Sequence, residues 1–252
     1  MRAAAHDNTI VQRRGLVSEQ TIGGLALKSA PTRDELAVRL AGDIADILAR
    51  DLTAHGEASL VVSGGSTPLA MFRALADADI EWSRVRITLA DERWVAPGHD
   101  ASNESLVREN LLQGRAKAAQ FIPLFVDAPD PESAESQVDE ALRVVSRPFS
   151  VVVLGMGGDG HTASLFPDAP ELESGMTEQD VSVAAARPAS QPLPRLTLTR
   201  HTLLSSTWRF LHIVGDDKRE VLERALGDEP RLAPIARVLD ERPHEVSVYW
   251  AS

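Results

Sequence analysis

The 252-residue chain is 43% hydrophobic and 25% charged, with 16 Gly and 15 Pro, a composition suited to a folded globular protein and contrary to a collagenous or largely disordered one. Its 26 Lys and Arg against 37 Asp and Glu leave a formal charge of -11, which excludes a nonspecific electrostatic grip on nucleic acid or anionic lipid and requires any anionic ligand to find a local basic pocket. The absence of cysteine excludes disulfides, thiolate metal ligands and cysteine nucleophiles together.

Residues 1–30 carry scattered charges, Gly23-Gly24 and no sustained period, and read as an N-terminal arm or irregular lead-in; residues 31–252 read as a single α/β domain. The first residues lack an apolar signal core and no apolar run approaches the ~18–20 residues that span a bilayer, so a cytoplasmic protein without membrane contact is the expectation. After Pro31, Thr32 is placed to cap a helix with Glu35 three residues on, and Leu36, Leu40, Ile44 and Leu48 recur along one face. Ala58 to Val62 is a short apolar strand that stops at Ser63-Gly64-Gly65. Leu69, Phe72 and Leu75 then mark a short helix, Val85 to Leu89 a strand, Leu106, Asn110 and Leu111 a helix, and Phe121 to Leu124 a strand. Val138, Leu142 and Val145 mark another helix, and Val151 to Leu154 the most apolar strand. Further strands are predicted at 181–185, 207–214 and 245–250, with a helix near 217–226. Helical periods alternating with β-branched runs predict an α/β fold with a mainly parallel sheet flanked by helices. Pro188, Pro192 and Pro194 read as one loop rather than a boundary.

Ligands of such sheets sit outside the C-terminal ends of the strands, so the segments immediately C-terminal to each strand carry the functional reading. In Ser63-Gly64-Gly65-Ser66-Thr67-Pro68, paired glycines free the backbone N–H groups, Thr67 can cap a helix and Pro68 suits its first position, which together make an anion cradle. A plain tight turn explains the same residues. A serine-hydrolase elbow around Ser66 would need glycine where Pro68 stands. Asp91-Glu92-Arg93 is either a surface ion-pair cluster or part of an active edge. Gly155-Met156-Gly157-Gly158-Asp159-Gly160 satisfies the dinucleotide fingerprint, but the strand near 181–185 runs into Ala186-Arg187-Pro188 without a ribose-binding acid, and Asp159 opposes a pyrophosphate. Arg187 leaves an NADP reading open. Chemically, the same loop sets His161 beside Asp159, a pairing suited to taking a proton from water. No His-x-His or His-Glu-x-x-His pairing points to a metal. Arg195 and Lys218 are either solvated cations or the lining of a phosphate site.

Taken together, Ser63 to Pro68, Asp91-Glu92-Arg93-Trp94-Val95 with Ser102-Asn103, and Gly155 to Pro167 resemble the 6-phosphogluconolactonase family, in order and spacing, across roughly residues 32–250. The resemblance implies a Rossmann-like fold of the sugar-phosphate isomerase/deaminase-like superfamily. Deaminases of that superfamily carry Asp-Glu-Tyr where this chain has Asp91-Glu92-Arg93, and Asp-Gly-His-Ile-Ala-Phe-Asn-Glu-Pro where it has Asp159 to Pro167. The implied reaction is hydrolysis of 6-phospho-D-glucono-1,5-lactone to 6-phosphogluconate in the oxidative pentose phosphate pathway. The implied site has His161 as general base, Asp159 orienting it and Arg93 stabilising the oxyanion or the substrate's charge. Gly64, Gly65, Ser66, Thr67, Asp91, Asn103, Gly157, Arg195 and Lys218 would bind the substrate, with Arg195 in an Arg-x-Thr-Leu-Thr segment and Lys218 in a Gly-x-x-Lys segment holding the phosphate. No cofactor, metal, nucleic acid or obligate protein partner is implied, only a small sugar-phosphate lactone. A glucosamine-6-phosphate deaminase-like enzyme and a noncatalytic sugar-phosphate sensor are the alternatives.

Overall fold

The computed structural model describes residues 20–177, 179–227, 233–239 and 245–252. It begins with a hairpin, β1 (Gln20–Ile22) pairing antiparallel with β2 (Leu25–Ser29) through Gly23 and Gly24, both at positive φ as a tight two-residue turn requires. β2 then runs parallel to the last strand of the chain and buries Leu25 and Leu27. The reading of residues 1–30 as an irregular lead-in is therefore corrected for 20–29, which belong to the sheet; residues 1–19 of that reading lie outside the described residues. Two apolar alternations are too short a signal to stand out in a sequence, and the strand is held by pairing with a partner more than 200 residues away.

The helix α1 (Arg33–His55) starts where expected: the Thr32 hydroxyl accepts the Glu35 N–H at 3.2 Å, and Leu36, Leu40, Ile44 and Leu48 are fully buried. It ends at Gly56, whose φ of 83° closes the last turn with an N–H to the Leu52 carbonyl. Next come β3 (Ala58–Val62), α2 (Leu69–Ala76), β4 (Val85–Leu89), β5 (Asp91–Arg93), α3 (Asn103–Asn110), β6 (Gln120–Ile122), α4 (Pro131–Leu142) and β7 (Phe149–Leu154). The remainder is α5 (Leu172–Thr177), β8 (Val183–Ala186), β9 (Arg195–Leu198), α6 (Arg200–Leu204), β10 (Ser206–Val214), α7 (Asp216–Leu226), α8 (Pro234–Leu239) and β11 (Glu245–Ala251).

The large sheet has the order β1-β2-β11-β10-β7-β3-β4-β6, and every pair after the hairpin is parallel. β7 and β3 are adjacent interior strands, buried at every position, which explains their unbroken apolar runs. The expected α/β architecture is thus present, with one addition. β5, β9 and β8 form a separate antiparallel sheet, so Asp91-Glu92-Arg93 is a strand rather than a loop, and the strand predicted at 181–185 lies outside the main sheet. A three-residue charged strand has no propensity of its own; its conformation is dictated by β9 and by the Leu198 N–H and Ala90 carbonyl that bond at 2.8 Å. That bond fixes the small sheet to the end of β4, beside the C-terminal edge of β3 and β7. No helix among the described residues is long and apolar enough to cross a membrane.

Candidate active site

A cavity of about 320 Å³ opens at this edge. Gly64, Gly65, Ser66 and Thr67 line it from the segment after β3, Asp91 and Arg93 from β5, and Asn103 from the start of α3. Gly157 and His161 enter from the segment after β7, Arg195 from β9 and Lys218 from the first turn of α7. Residues far apart in the sequence thus converge on one space. Asp159 does not line the cavity and reaches it through His161.

The β3 segment departs from its predicted capping. α2 begins at Leu69, with Pro68 rather than Thr67 at the cap position, and no side chain caps it. Pro68 already has helical dihedrals, so its carbonyl receives the Phe72 N–H at 2.8 Å while the Thr67 hydroxyl remains uncommitted at the cavity wall. Gly64 is required by proximity: a Cβ there would stand 1.8 Å from the Asn103 side-chain oxygen.

Arg93 and Asn103 are positioned by a carboxylate that never reaches the cavity. Glu92 is fully buried and accepts the backbone N–H groups of Arg93 at 2.8 Å and of Asn103 and Glu104 at 2.7 Å, plus the Ser102 hydroxyl at 3.2 Å. Burial pushes its pKa up to about 7 although these N–H groups pull the other way. The N-terminus of α3 is thereby tied to β5, and the Asn103 amide donates to the Asp91 carbonyl at 2.8 Å. The Arg93 guanidinium donates to the Asn103 side-chain oxygen and to the Ala101 carbonyl. Across the small sheet, Arg93 stands directly opposite Arg195. Like charges in register are unfavourable in an empty site and become favourable around an anion.

Arg195 is only 7% exposed. Burial pushes its pKa down, Asp91 raises it again from 3.7 Å, and Arg93 opposes it. Its guanidinium donates to Gln191 at 2.8 Å and lies 5.0 Å from the centre of the Phe166 ring. Asp91 also accepts the Ser164 hydroxyl at 2.6 Å, which locks the β7 segment to β5. Lys218, in contrast, has no hydrogen bond or ion pair with any other described residue.

His161 completes the wall. Its Nδ1 lies 2.6 Å from Asp159 Oδ1, and the same oxygen accepts the His161 backbone N–H at 3.1 Å. Burial pushes the Asp159 carboxyl up, but the His161 N–H, charge and ring bond outweigh it and hold the group below its ordinary range. An ionised Asp159 makes Nδ1 the donor and leaves the Nε2 lone pair free. The ring stacks on Phe166 at 3.8 Å between centroids, so Phe166 supports His161 and Arg195 together. Gly157 makes room for this arrangement, since a Cβ there would meet His161 Nδ1 at 2.1 Å and Asp159 at 2.6 Å. Just beyond, Ala163 adopts a φ of 49°, a conformation unfavourable for any residue with a side chain and held here within the cavity wall. The dinucleotide fingerprint does not open a helix: the next helix starts only at Leu172. Among the described residues, no cluster of three His, Cys, Asp or Glu could hold a metal.

Sequence reasoning missed Phe166, Ser164 and His212. The first two lie inside a motif whose histidine drew the attention. His212 has a readable signal, a polar residue within the apolar run Leu211 to Val214. It is 3% exposed, lines the cavity, and is pushed by burial alone to a pKa of about 4 from the ordinary 6.5. Between these pH values the unfolded chain binds a proton that the folded chain refuses, so stability is expected to rise with pH over that window. The contribution is up to about 3 kcal/mol, complete above pH 6.5 and lost on acidification towards pH 4. Urea titrations at a series of pH values check this, and His212→Phe should remove that part of the slope.

A family model described as glucosamine-6-phosphate isomerases/6-phosphogluconolactonase matches residues 31–250. The chain belongs to this family. The 6-phosphogluconolactonase of Mesorhizobium japonicum is 46% identical over 222 residues, covering 88% of this chain and 93% of that protein. The Rhizobium meliloti 6-phosphogluconolactonase is 43% identical over 221 residues, covering 86% and 94%. The crystal structure of a 6-phosphogluconolactonase from Shewanella baltica superimposes with a TM-score of 0.88 at 45% identity, covering 90% of this chain and 98% of that one. Family membership accounts for the α/β fold.

Proposed function

We propose that this cavity hydrolyses 6-phospho-D-glucono-1,5-lactone to 6-phosphogluconate, as a lactonase of the oxidative pentose phosphate pathway. The observation that carries the reading is the pairing of an Asp159-oriented His161 with the opposed cations Arg93 and Arg195 across one small cavity. The phosphate, remote from the reacting carbon, is held by Lys218, Arg195 and the N–H groups and hydroxyls of Gly64 to Thr67, so that its binding energy orients the ring. His161 Nε2 takes a proton from water as the water oxygen bonds to the lactone carbon. Arg93 stabilises the resulting oxyanion. Collapse breaks the bond to the ring oxygen, which recovers the proton from His161. Asp91 and Asn103 keep Arg93 and Arg195 in place, and one domain, with the 20–29 hairpin built into it, carries all of these residues. The reaction needs no cofactor, and the chemistry places its substrate among small soluble metabolites, in keeping with a cytoplasmic site of action.

Freshly generated lactone, assayed with correction for its spontaneous opening, tests the proposal beside an ammonia-release assay on glucosamine 6-phosphate. Lactone hydrolysis without ammonia release is the expected result; the reverse pattern would assign the cavity to deaminase chemistry, and binding without either would assign it to a sensor. Gly157→Ala gives a geometric check. Its methyl group forces the His161 ring aside, and kcat is expected to fall about 100-fold, the cost of roughly 1 Å of misplacement at a reacting group, in a protein whose thermal melt stays near that of the parent.

A further inference from the structure

The proposed reaction leaves His212 without a task. It lies on β10, in register with Tyr249 of β11, and immediately precedes the cavity-lining Ile213 and Val214. β10 is hydrogen-bonded to β7, the strand that delivers His161, and leads directly into the turn that delivers Lys218. His212 therefore lines the cavity from the strand that pairs with β7 on one side and runs into the Lys218 turn at its end. It is 3% exposed, and its Nδ1 has no hydrogen-bond partner. Neither ring nitrogen bonds to another described residue. Burial keeps the imidazole neutral at physiological pH.

Nδ1 is shut off from the cavity, which leaves Nε2 as the nitrogen a ligand can reach, and for an unpartnered polar atom at the wall of a ligand cavity the ligand is the natural partner. A neutral imidazole offers one N–H donor and one lone pair. The two nitrogens point to opposite sides of the ring, so a ligand meets one of them, and a hydroxyl, able to accept from an N–H or donate to a lone pair, suits it in either tautomer, while the phosphate is drawn to the cations Arg195 and Lys218. The lactone ring brings hydroxyl groups on the carbons between its carbonyl and its phosphate-bearing end, the stretch left to meet the other lining residues when the two ends are held as proposed. We propose that His212 is a specificity-determining residue that hydrogen-bonds one ring hydroxyl of the sugar-phosphate substrate. This rests on the sugar-phosphate lactone reading of the cavity and adds to it the group that distinguishes a hydroxylated sugar from a deoxygenated one.

The test compares wild type, His212→Phe and His212→Gln in two assays. In calorimetry, 6-phosphogluconate and its 2-, 3- and 4-deoxy analogues are titrated without turnover; in kinetics, KM and kcat are measured for the lactone. Wild type is expected to bind one deoxy analogue at least about 10-fold more weakly than the parent ligand. His212→Phe should erase that one difference, raise the KM for the lactone by about 10-fold or more with a smaller change in kcat, and leave the other two discriminations intact. Gln, which keeps a donor and an acceptor, should restore part of it. If phenylalanine does not fit, His212→Leu serves as the apolar variant. Unchanged discrimination in every folded apolar variant would overturn the proposal, leaving His212 as packing or as a partner for buried water. The two readings fail separately. Absence of lactone hydrolysis in wild type would remove the proposed reaction while the calorimetric series still decides His212, and absence of binding to the whole series would remove both.

Discussion

Replacing His161 by alanine is expected to lower kcat by about 10²–10⁴-fold, the range typical of general-base catalysis, while the affinity for 6-phosphogluconate changes by less than about threefold. The split comes from position. The ring rests on Phe166 and, among the described residues, bonds only to Asp159, so its removal leaves the Arg93, Arg195 and Lys218 side of the cavity untouched. Single-turnover kinetics with fresh lactone, beside calorimetry with the product, measures both quantities. Near-parent turnover in the folded variant would take His161 out of the mechanism. Asp159→Asn refines the result. The amide oxygen can still accept from Nδ1, but the amide nitrogen can donate to it instead and leave the proton on Nε2, where the lone pair is needed. A fall of about 10²-fold or more with unchanged product affinity is expected, since only the orientation and tautomer of the ring are at stake.

Much of this arrangement is legible in the sequence because local signals and long-range packing agree there. α1 announces itself through Thr32 and the four leucine and isoleucine positions that fill the core, and β3 and β7 through apolar runs that only a strand buried on both faces would carry. The polar segments at the C-terminal ends of the parallel strands then locate the site, since the fold gathers those ends at one edge. The features that escaped depend on partners distant in sequence. Nothing local to Asp91-Glu92-Arg93 specifies a strand; its partner β9 does, and with it the confrontation of Arg93 with Arg195. The hairpin at 20–29 is likewise set by β11. The Thr67 cap failed for a local reason, because Pro68 adopts helical dihedrals at the cap position and leaves the hydroxyl outside the helix. Phe166 reads as an ordinary core aromatic, and only the folded chain shows it supporting a base on one contact and a cation on another.

The cations should separate binding from folding. Lys218→Ala and Arg195→Ala are each expected to weaken 6-phosphogluconate about 10–150-fold, the equivalent of roughly 1.5–3 kcal/mol for a charge-assisted hydrogen bond, while gluconate, which lacks the phosphate, changes little. Their effects on stability should diverge. Lys218 has no described partner, so its loss leaves no group stranded and the urea midpoint should stay within the range of an ordinary surface substitution, about 0.5 kcal/mol. Arg195 is buried against Phe166 and faces Asp91 at 3.7 Å. Its removal leaves a buried carboxylate with the Ser164 hydroxyl but no cation, uncovers Phe166 and opens a void between β9 and the β7 segment, at an expected cost of about 1–3 kcal/mol. The opposed Arg93 offsets part of that loss, because its repulsion with Arg195 is relieved in the variant. Raising the salt concentration should weaken product binding in the parent and have a smaller effect in either variant, since one charge of the receptor is already missing. Equal losses for gluconate and 6-phosphogluconate would mean that these cations hold the cavity walls rather than the phosphate, and the anchor would then have to be sought in the N–H groups of Gly64 to Thr67 alone.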